Sequence, residues 1–130
     1  MATTSFITGA RRTQGLAAPA TMGEHVLVRL QGPGVFVSAH VTRSNNPAGI
    51  TFVNLDLDGV NVVASSFEAV QNLGLTQDNP FGTMEFTNGT LSTIAIGYCL
   101  PLKFEKELVL KVTVNEVGVA QILANVVHGT

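Results

Sequence analysis

The sequence predicts an all-β protein, an antiparallel β-sandwich or jelly roll of about eight strands with one short helix and an extended N-terminal arm. From residue 24 onward, apolar and polar residues alternate with a period of two, which is typical of strands with one buried face. Turn-forming pairs separate these runs at short intervals, and Asp58-Gly59 and Asn88-Gly89 are preferred hairpin turns. The 130 residues suit a single domain with one core.

The N-terminal segment differs in character from the rest of the chain. Residues 1–21 contain small residues, a glycine and a proline, without a sustained period. Terminal segments of this kind are usually disordered unless something anchors them. We therefore predict a flexible arm over residues 1–21 and a β-sandwich domain over residues 22–130.

Four strands and a helix are predicted in the first half of the domain. The first strand runs from residue 24 to Leu30, with His25 on its outward face. The next strand has an inward face of Val35, Val37, Ala39 and Val41 and an outward face of Phe36, Ser38, His40 and Thr42. Residues 50–57 and 60–64 form a hairpin around Asp58-Gly59. Ser65 or Ser66 caps a short helix that Gly74 ends.

The second half of the domain is predicted to contain strands only. Residues 83–87 and 90–96 form a hairpin, and Leu100-Pro101 makes a bend. A long strand begins at Phe104, and its inward face consists of Leu108, Leu110, Val112 and Val114. The last strand, residues 119–127, is apolar on both faces, which is typical of a strand covered on both sides. Either the arm folds over this sheet or two subunits press their sheets together.

Charge is sparse, since only 12% of the residues are charged, against roughly 25% in a typical soluble domain. Such a neutral surface favours a protein that packs against neighbours, although a Thr- and Asn-rich monomer is the alternative. Residues 1–23 carry two arginines and no acid, a charge of +2, whereas residues 24–130 carry five cations and nine acids, a charge of −4. An acidic domain argues against nucleic acid as a partner. No apolar run is long enough to cross a membrane, and no secretion signal is visible.

No motif of catalysis or metal binding is present, so we predict no enzyme activity, no cofactor and no metal site. His25 and His40 are predicted on neighbouring strands and could meet across a hairpin, but two histidines lack a third ligand. Asn54, Asp56 and Asp58 share a strand face, which suggests either a calcium site or the polar face of a strand ending in a turn. Cys99 is interpreted as a buried apolar residue, and Asn88-Gly89-Thr90 as a turn rather than a glycosylation site.

The chain resembles small β-sandwich proteins that decorate or cement the capsids of tailed bacteriophages. The resemblance is architectural and is carried by the arm, by the hairpin ITFVNLDLDG of residues 50–59 and by the segment PLKFEKELVL of residues 101–110. It implies a trimer on the shell surface, with the arm against the shell or a neighbouring subunit. The arm residues that would make these contacts are Phe6, Ile7, Arg11, Arg12 and Leu16.

We therefore predict a non-enzymatic virion protein, assembled in the host cytoplasm, whose partners are its own copies and the major capsid protein or another virion protein. The alternative is a ligand- or carbohydrate-binding module, possibly a receptor-binding piece. Phe36 and Phe81 are its candidate sugar-stacking residues, in a chain with one Tyr and no Trp.

Overall fold

Two antiparallel sheets pack against each other in the computed structural model, which describes residues 9–44, 51–76, 82–88, 91–116 and 119–130. Sheet A has five strands in the order β1 (Arg11–Ala17), β9 (Ile122–Gly129), β3 (Gly34–Ser44), β7 (Leu91–Phe104) and β6 (Thr83–Asn88). Sheet B has four strands in the order β2 (Gly23–Gln31), β8 (Glu107–Val114), β4 (Phe52–Leu57) and β5 (Val60–Ser66). One helix, α1 (Phe67–Asn72), follows β5 in the described part of the chain. This architecture confirms the predicted all-β sandwich.

The core lies between the sheets and consists of the inward half of each alternating strand. On β8, the predicted inward residues Leu108, Leu110, Val112 and Val114 are at most 1% exposed. On sheet A the matching positions include Val41, Ile94 and Ile122, which are fully buried. Burying a side chain of this size contributes roughly 1.5–3 kcal/mol, so the alternation supplies most of the driving force for folding.

The N-terminal segment is where the domain prediction needs correction. Residues 11–17, predicted as part of a flexible arm, form β1 and pair with β9 from Arg11↔His128 to Ala17↔Ile122. Ala17 and Ala20 are buried in the core. The alternation of apolar and polar residues is weak in this segment, because the inward residues Gly15 and Ala17 of β1 have little side-chain volume. Residues 1–8 lie outside the described residues.

A bulge in β3 changes the face on which one predicted outward residue lies. The register of β3 with both its neighbours shifts between Phe36 and Ser38. Phe36 is consequently fully buried, whereas Val35 and Val37, predicted to face inward, are half-buried. An extra residue in a strand reverses the alternation beyond it, and period-two analysis cannot place such a residue.

The predicted turn and helix caps are confirmed. Asp58 and Gly59 adopt φ values of 55° and 81°, as a two-residue turn with both central residues left-handed requires. The Ser66 hydroxyl accepts a hydrogen bond of 3.0 Å from the Ala69 amide at the start of α1. Gly74, at φ 79°, follows the helix, and the Leu75 amide donates to the Val70 carbonyl over 3.2 Å.

The β7–β8 hairpin differs from the prediction. β7 runs without interruption to Phe104, so the strand does not end at Leu100-Pro101. Instead the register jumps from Ser38↔Gly97 to Phe36↔Leu102, and the extra residues of β7 form an irregularity opposite the β3 bulge. The predicted long strand from Phe104 therefore begins at Glu107, after a tight connection.

The last strand, β9, is buried on one face only. Ile122, Ala124 and Val126 are fully buried between the sheets, whereas Leu123 and Val127 on the other face are half-buried. The first explanation predicted for its apolar character was an arm folded over the sheet. Residues 11–17 of that arm do not cover the outer face of β9, because they pair with its edge as β1. Within the described residues, no segment lies over this outer face.

Candidate interaction surfaces

The outer face of sheet A is almost free of charge. Strand register places residues from all five strands side by side, as in the row Gln14, Asn125, His40, Ala95 and Met84. We call this surface the neutral face. Its described members are Arg12, Gln14, Leu16, Val35, Ser38, His40, Thr42, Met84, Leu91, Thr93, Ala95, Gly97, Lys103, Leu123, Asn125 and Val127.

The neutral face contains a depression, and apolar side chains protrude at its margin. Small residues such as Ser38, Ala95 and Gly97 line a shallow depression of about 380 Å³. The His40 ring nitrogen Nε2 and the Asn125 side-chain nitrogen Nδ2 are 3.1 Å apart across the depression. Leu16 is 58% exposed and Leu91 is 45% exposed, so both leave apolar surface in contact with water.

The outer face of sheet B, which we call the charged face, has the opposite character. Glu107 pairs with Arg29 at 3.0 Å, and Lys111 lies 3.8 Å from Glu24 and 3.5 Å from Asp56. Strand register brings these five residues onto one surface. Exposed ion pairs of this kind add little stability and are well solvated, so this face is suited to contact with water.

The predicted contact residues lie in two places. Phe6 and Ile7 are outside the described residues, whereas Arg11, Arg12 and Leu16 belong to β1. Arg12 and Leu16 alternate with the buried Gly15 and Ala17 and therefore lie on the neutral face. Both arginines are exposed and make no ion pair with a described carboxylate. They supply positive charge at one edge of a nearly uncharged surface.

Arg11 lies at the other side of β1, near His128. The Thr13 hydroxyl and the His128 Nε2 atom are 2.7 Å apart and link β1 to β9. Burial lowers the pKa of His128, and the positive charge of Arg11 lowers it further. The contact between Thr13 and His128 is therefore a structural link between β1 and β9.

The histidines do not come together. β2 and β3 lie in different sheets, which corrects the expectation that His25 and His40 meet across a hairpin. His25 instead bonds the Thr21 carbonyl at 2.7 Å. Among the described residues, no three His, Cys, Asp or Glu side chains are grouped so that they could hold a metal ion.

The carboxylates at the β4–β5 hairpin bind protein groups. Asp56 accepts a hydrogen bond of 2.8 Å from the Asn61 side chain in addition to its ion pair with Lys111. Asp58 accepts three backbone N–H bonds from Glu105, Lys106 and Glu107, at 2.9, 2.7 and 3.1 Å. The bonds from Glu105 and Lys106 hold the pKa of Asp58 below its usual value. The polar-strand interpretation of this group fits these contacts.

The binding-module alternative loses one of its two aromatic residues. Phe36 is fully buried, so it cannot stack on a sugar, and Phe81 lies outside the described residues. Cys99 belongs to β7, and its side chain is not among those that the structure describes. Asn88 ends β6 and pairs with Leu91, and the other two residues of the sequon lie outside the described residues.

A buried ion pair is the feature that the sequence reasoning missed. Arg43 is 4% exposed and Glu116 is 6% exposed, and their side chains meet at 2.6 Å. Arg43 also donates to the Ser92 hydroxyl at 3.2 Å and lies 4.6 Å over the Phe67 ring. The sequence contains one indication of this buried arginine, because alternation from the inward Val41 places Arg43 on the inward face of β3. The pair ties the end of β3 to the segment after β8.

The comparisons with known proteins give a fold and no family. No protein-family model matches the sequence, and no curated protein matches it. A chain of the acidic stable capsid structure of Helicobacter pylori bacteriophage KHP30 is similar, with a TM-score of 0.57, 13% identity and coverage of 95% of this chain and 90% of that one. The crystal structure of FLHE is a more distant neighbour, with a TM-score of 0.43, 13% identity and coverage of 95% and 100%. The chain therefore shares its fold with a chain of a phage capsid.

The described helix does not suggest a membrane span. No helix in the described ranges has the length and apolar character that crossing a bilayer requires.

Proposed function

We propose that this chain is a structural, non-enzymatic assembly protein, a decoration or accessory protein of a phage capsid. The observation that carries the proposal is the neutral face: a five-stranded sheet surface whose described residues include only two formally charged ones, Arg12 and Lys103, with exposed leucines at its margin. The central part of a protein interface is depleted of charged residues, so an uncharged surface of this extent fits a protein contact site. The fold shared with a chain of the KHP30 capsid supports the choice of a virion as the setting.

The proposed mechanism is association multiplied by symmetry. Each subunit contributes weak contacts from the neutral face and from the N-terminal residues, and many copies on a shell convert these into stable attachment. In this proposal the chain forms a homo-oligomer, and three copies is the number that the family resemblance implies. Phe6, Ile7, Arg11, Arg12 and Leu16 are the proposed contacts with the shell or with a neighbouring copy.

Composition of purified particles tests this function. Quantitative mass spectrometry of virions from the phage that encodes the chain should find it in fixed ratio to the major capsid protein. Particles stripped of the chain should rebind the purified protein and should not rebind the variant Phe6→Ser with Ile7→Ser.

The matched control is Leu73→Ser, which removes a side chain that is 71% exposed and lies outside β1 and the neutral face. This variant should rebind like the unmodified chain. Absence of the chain from purified virions would overturn the virion assignment. Equal rebinding by all three proteins would remove the arm residues from the contact.

A further inference from the structure

We infer that the neutral face is the contact between two copies of this chain, packed sheet against sheet. This inference rests on the proposed assembly role and names the partner of one surface in it.

The two outer faces differ in the number of charges that a contact would bury. Removing an ion from water costs several kcal/mol unless a well-placed partner replaces the lost hydration. Packing two charged faces together would bury five ionic groups per copy, including Lys111 with its two carboxylate partners. Among the described residues of two packed neutral faces, the only charged ones are Arg12 and Lys103. Arg12 lies on an edge strand, and Lys103 lies near the end of β7, is 71% exposed and pairs with Glu105 at 3.3 Å, so both can keep their charge in water.

The shape of the neutral face favours a second copy over a small ligand. The depression on the neutral face is shallow, and its centre is formed by small residues such as Ala95 and Gly97. Leu16 and Leu91 protrude at the margin and offer apolar side chains to a concave partner. A two-fold axis through the face would bring the margin of each copy toward the depression of the other, as a self-complementary interface requires.

The neutral face is close in area to one side of a stable protein interface. Five strands spaced about 4.8 Å apart and seven residues rising about 3.3 Å each give a flat footprint of roughly 550 Å². The accessible area of a surface covered with side chains exceeds its flat footprint. The contact thus approaches the roughly 800 Å² per partner of a stable protein interface.

Sheet-to-sheet packing makes a prediction about stoichiometry. Because the contact is self-complementary, it closes with two copies. The assembly should contain two copies if this is its only contact, or six if the trimer implied by the family resemblance also forms.

Light scattering on the full chain after size-exclusion chromatography tests the inference, with one charge placed on each outer face in turn. Thr93→Lys adds a cation to the middle of the neutral face, and Thr113→Lys adds one at a comparable half-buried position of the charged face. Thr93→Lys should raise the dissociation constant about 100-fold or more, because two unpaired charges meet in the contact. Thr113→Lys should leave the mass unchanged.

A second variant guards against misfolding, since Thr42 and Thr93 share a side-chain hydrogen bond of 2.9 Å. Leu16→Lys changes an exposed side chain on the same face and should also halve the mass while keeping the melting temperature. A monomer or a trimer for the unmodified chain, or equal dissociation by Thr113→Lys, would overturn the inference. Those results would leave the virion assignment to be decided by the particle measurement.

Discussion

At the scale of single residues, Gly15 determines how closely the two sheets approach at one edge. It lies on β1 opposite β2, and a Cβ atom at this position would be 2.2 Å from the Leu27 carbonyl oxygen. That oxygen belongs to the backbone of β2, so no side-chain rotation relieves the clash. The glycine is therefore what allows β1 to close the sandwich beside β2.

We expect Gly15→Ala to lower the free energy of unfolding by about 1–3 kcal/mol, the usual cost of overpacking, measured by chemical denaturation. Gly97→Ala is the matched control, because Gly97 is also in a strand of sheet A and its added Cβ would be 3.8 Å from the nearest atom. The control should stay within about 0.5 kcal/mol of the unmodified chain. Equal stability of the two variants would contradict the close approach of β1 and β2.

At the scale of secondary-structure elements, Asp58 connects two hairpins. Its backbone forms the β4–β5 turn, while its carboxylate accepts the backbone N–H groups of the β7–β8 turn. One residue thus fixes the relative position of two neighbouring hairpins of the sandwich. Hydrogen bonds to an ionised carboxylate are stronger than those between neutral groups, so the link depends on charge.

We expect Asp58→Asn to lower the denaturation midpoint at pH 7, although asparagine tolerates the same left-handed turn. The folded state lowers the pKa of Asp58, so its stabilisation is complete above the usual value of 3.8 and is lost as the pH falls below it. The difference between variant and unmodified chain should therefore shrink from pH 7 to pH 3. Glu105→Gln, which removes an exposed carboxylate from the facing turn, should show a smaller effect at pH 7.

At the scale of the whole molecule, β1 belongs to the fold. It pairs with β9 over seven residues and continues the neutral face to Arg12 and Leu16. Without β1, the edge of β9 and the core under Ala17 would be open to water. Stability and association are therefore expected to depend on the same strand.

Truncation separates the two parts of the N-terminal segment. A chain lacking residues 1–8 retains all of β1 and its pairing with β9, so it is the reference for the longer truncation. A chain lacking residues 1–20 should melt about 10 °C lower or more, because each kcal/mol lost shifts the midpoint of a domain of this size by several degrees. Equal melting temperatures for the two truncated chains would show that β1 adds nothing to the fold.

The local chemistry of the chain accounts for the elements that were predicted well. Asp58-Gly59 adopts the turn that its residue types prefer, Ser66 caps the helix, and β8 buries the residues that its alternation indicated. Each of these signals depends on residues close together in sequence, so it can be evaluated without knowing the fold. The scarcity of charge can likewise be evaluated without the fold, and the association that it predicts stays a prediction.

Pairing between distant segments decided the rest. β1 is a strand because β9, more than 100 residues later, offers it an edge, and Phe36 is buried because a bulge in β3 reverses its alternation. His25 and His40 are separated because consecutive strands joined different sheets. The neutral face itself exists only once five strands take their register. Composition showed that charged residues are few. Only the pairing of strands could place the uncharged side chains together on one surface, because side chains become neighbours across strands through hydrogen bonds between remote segments.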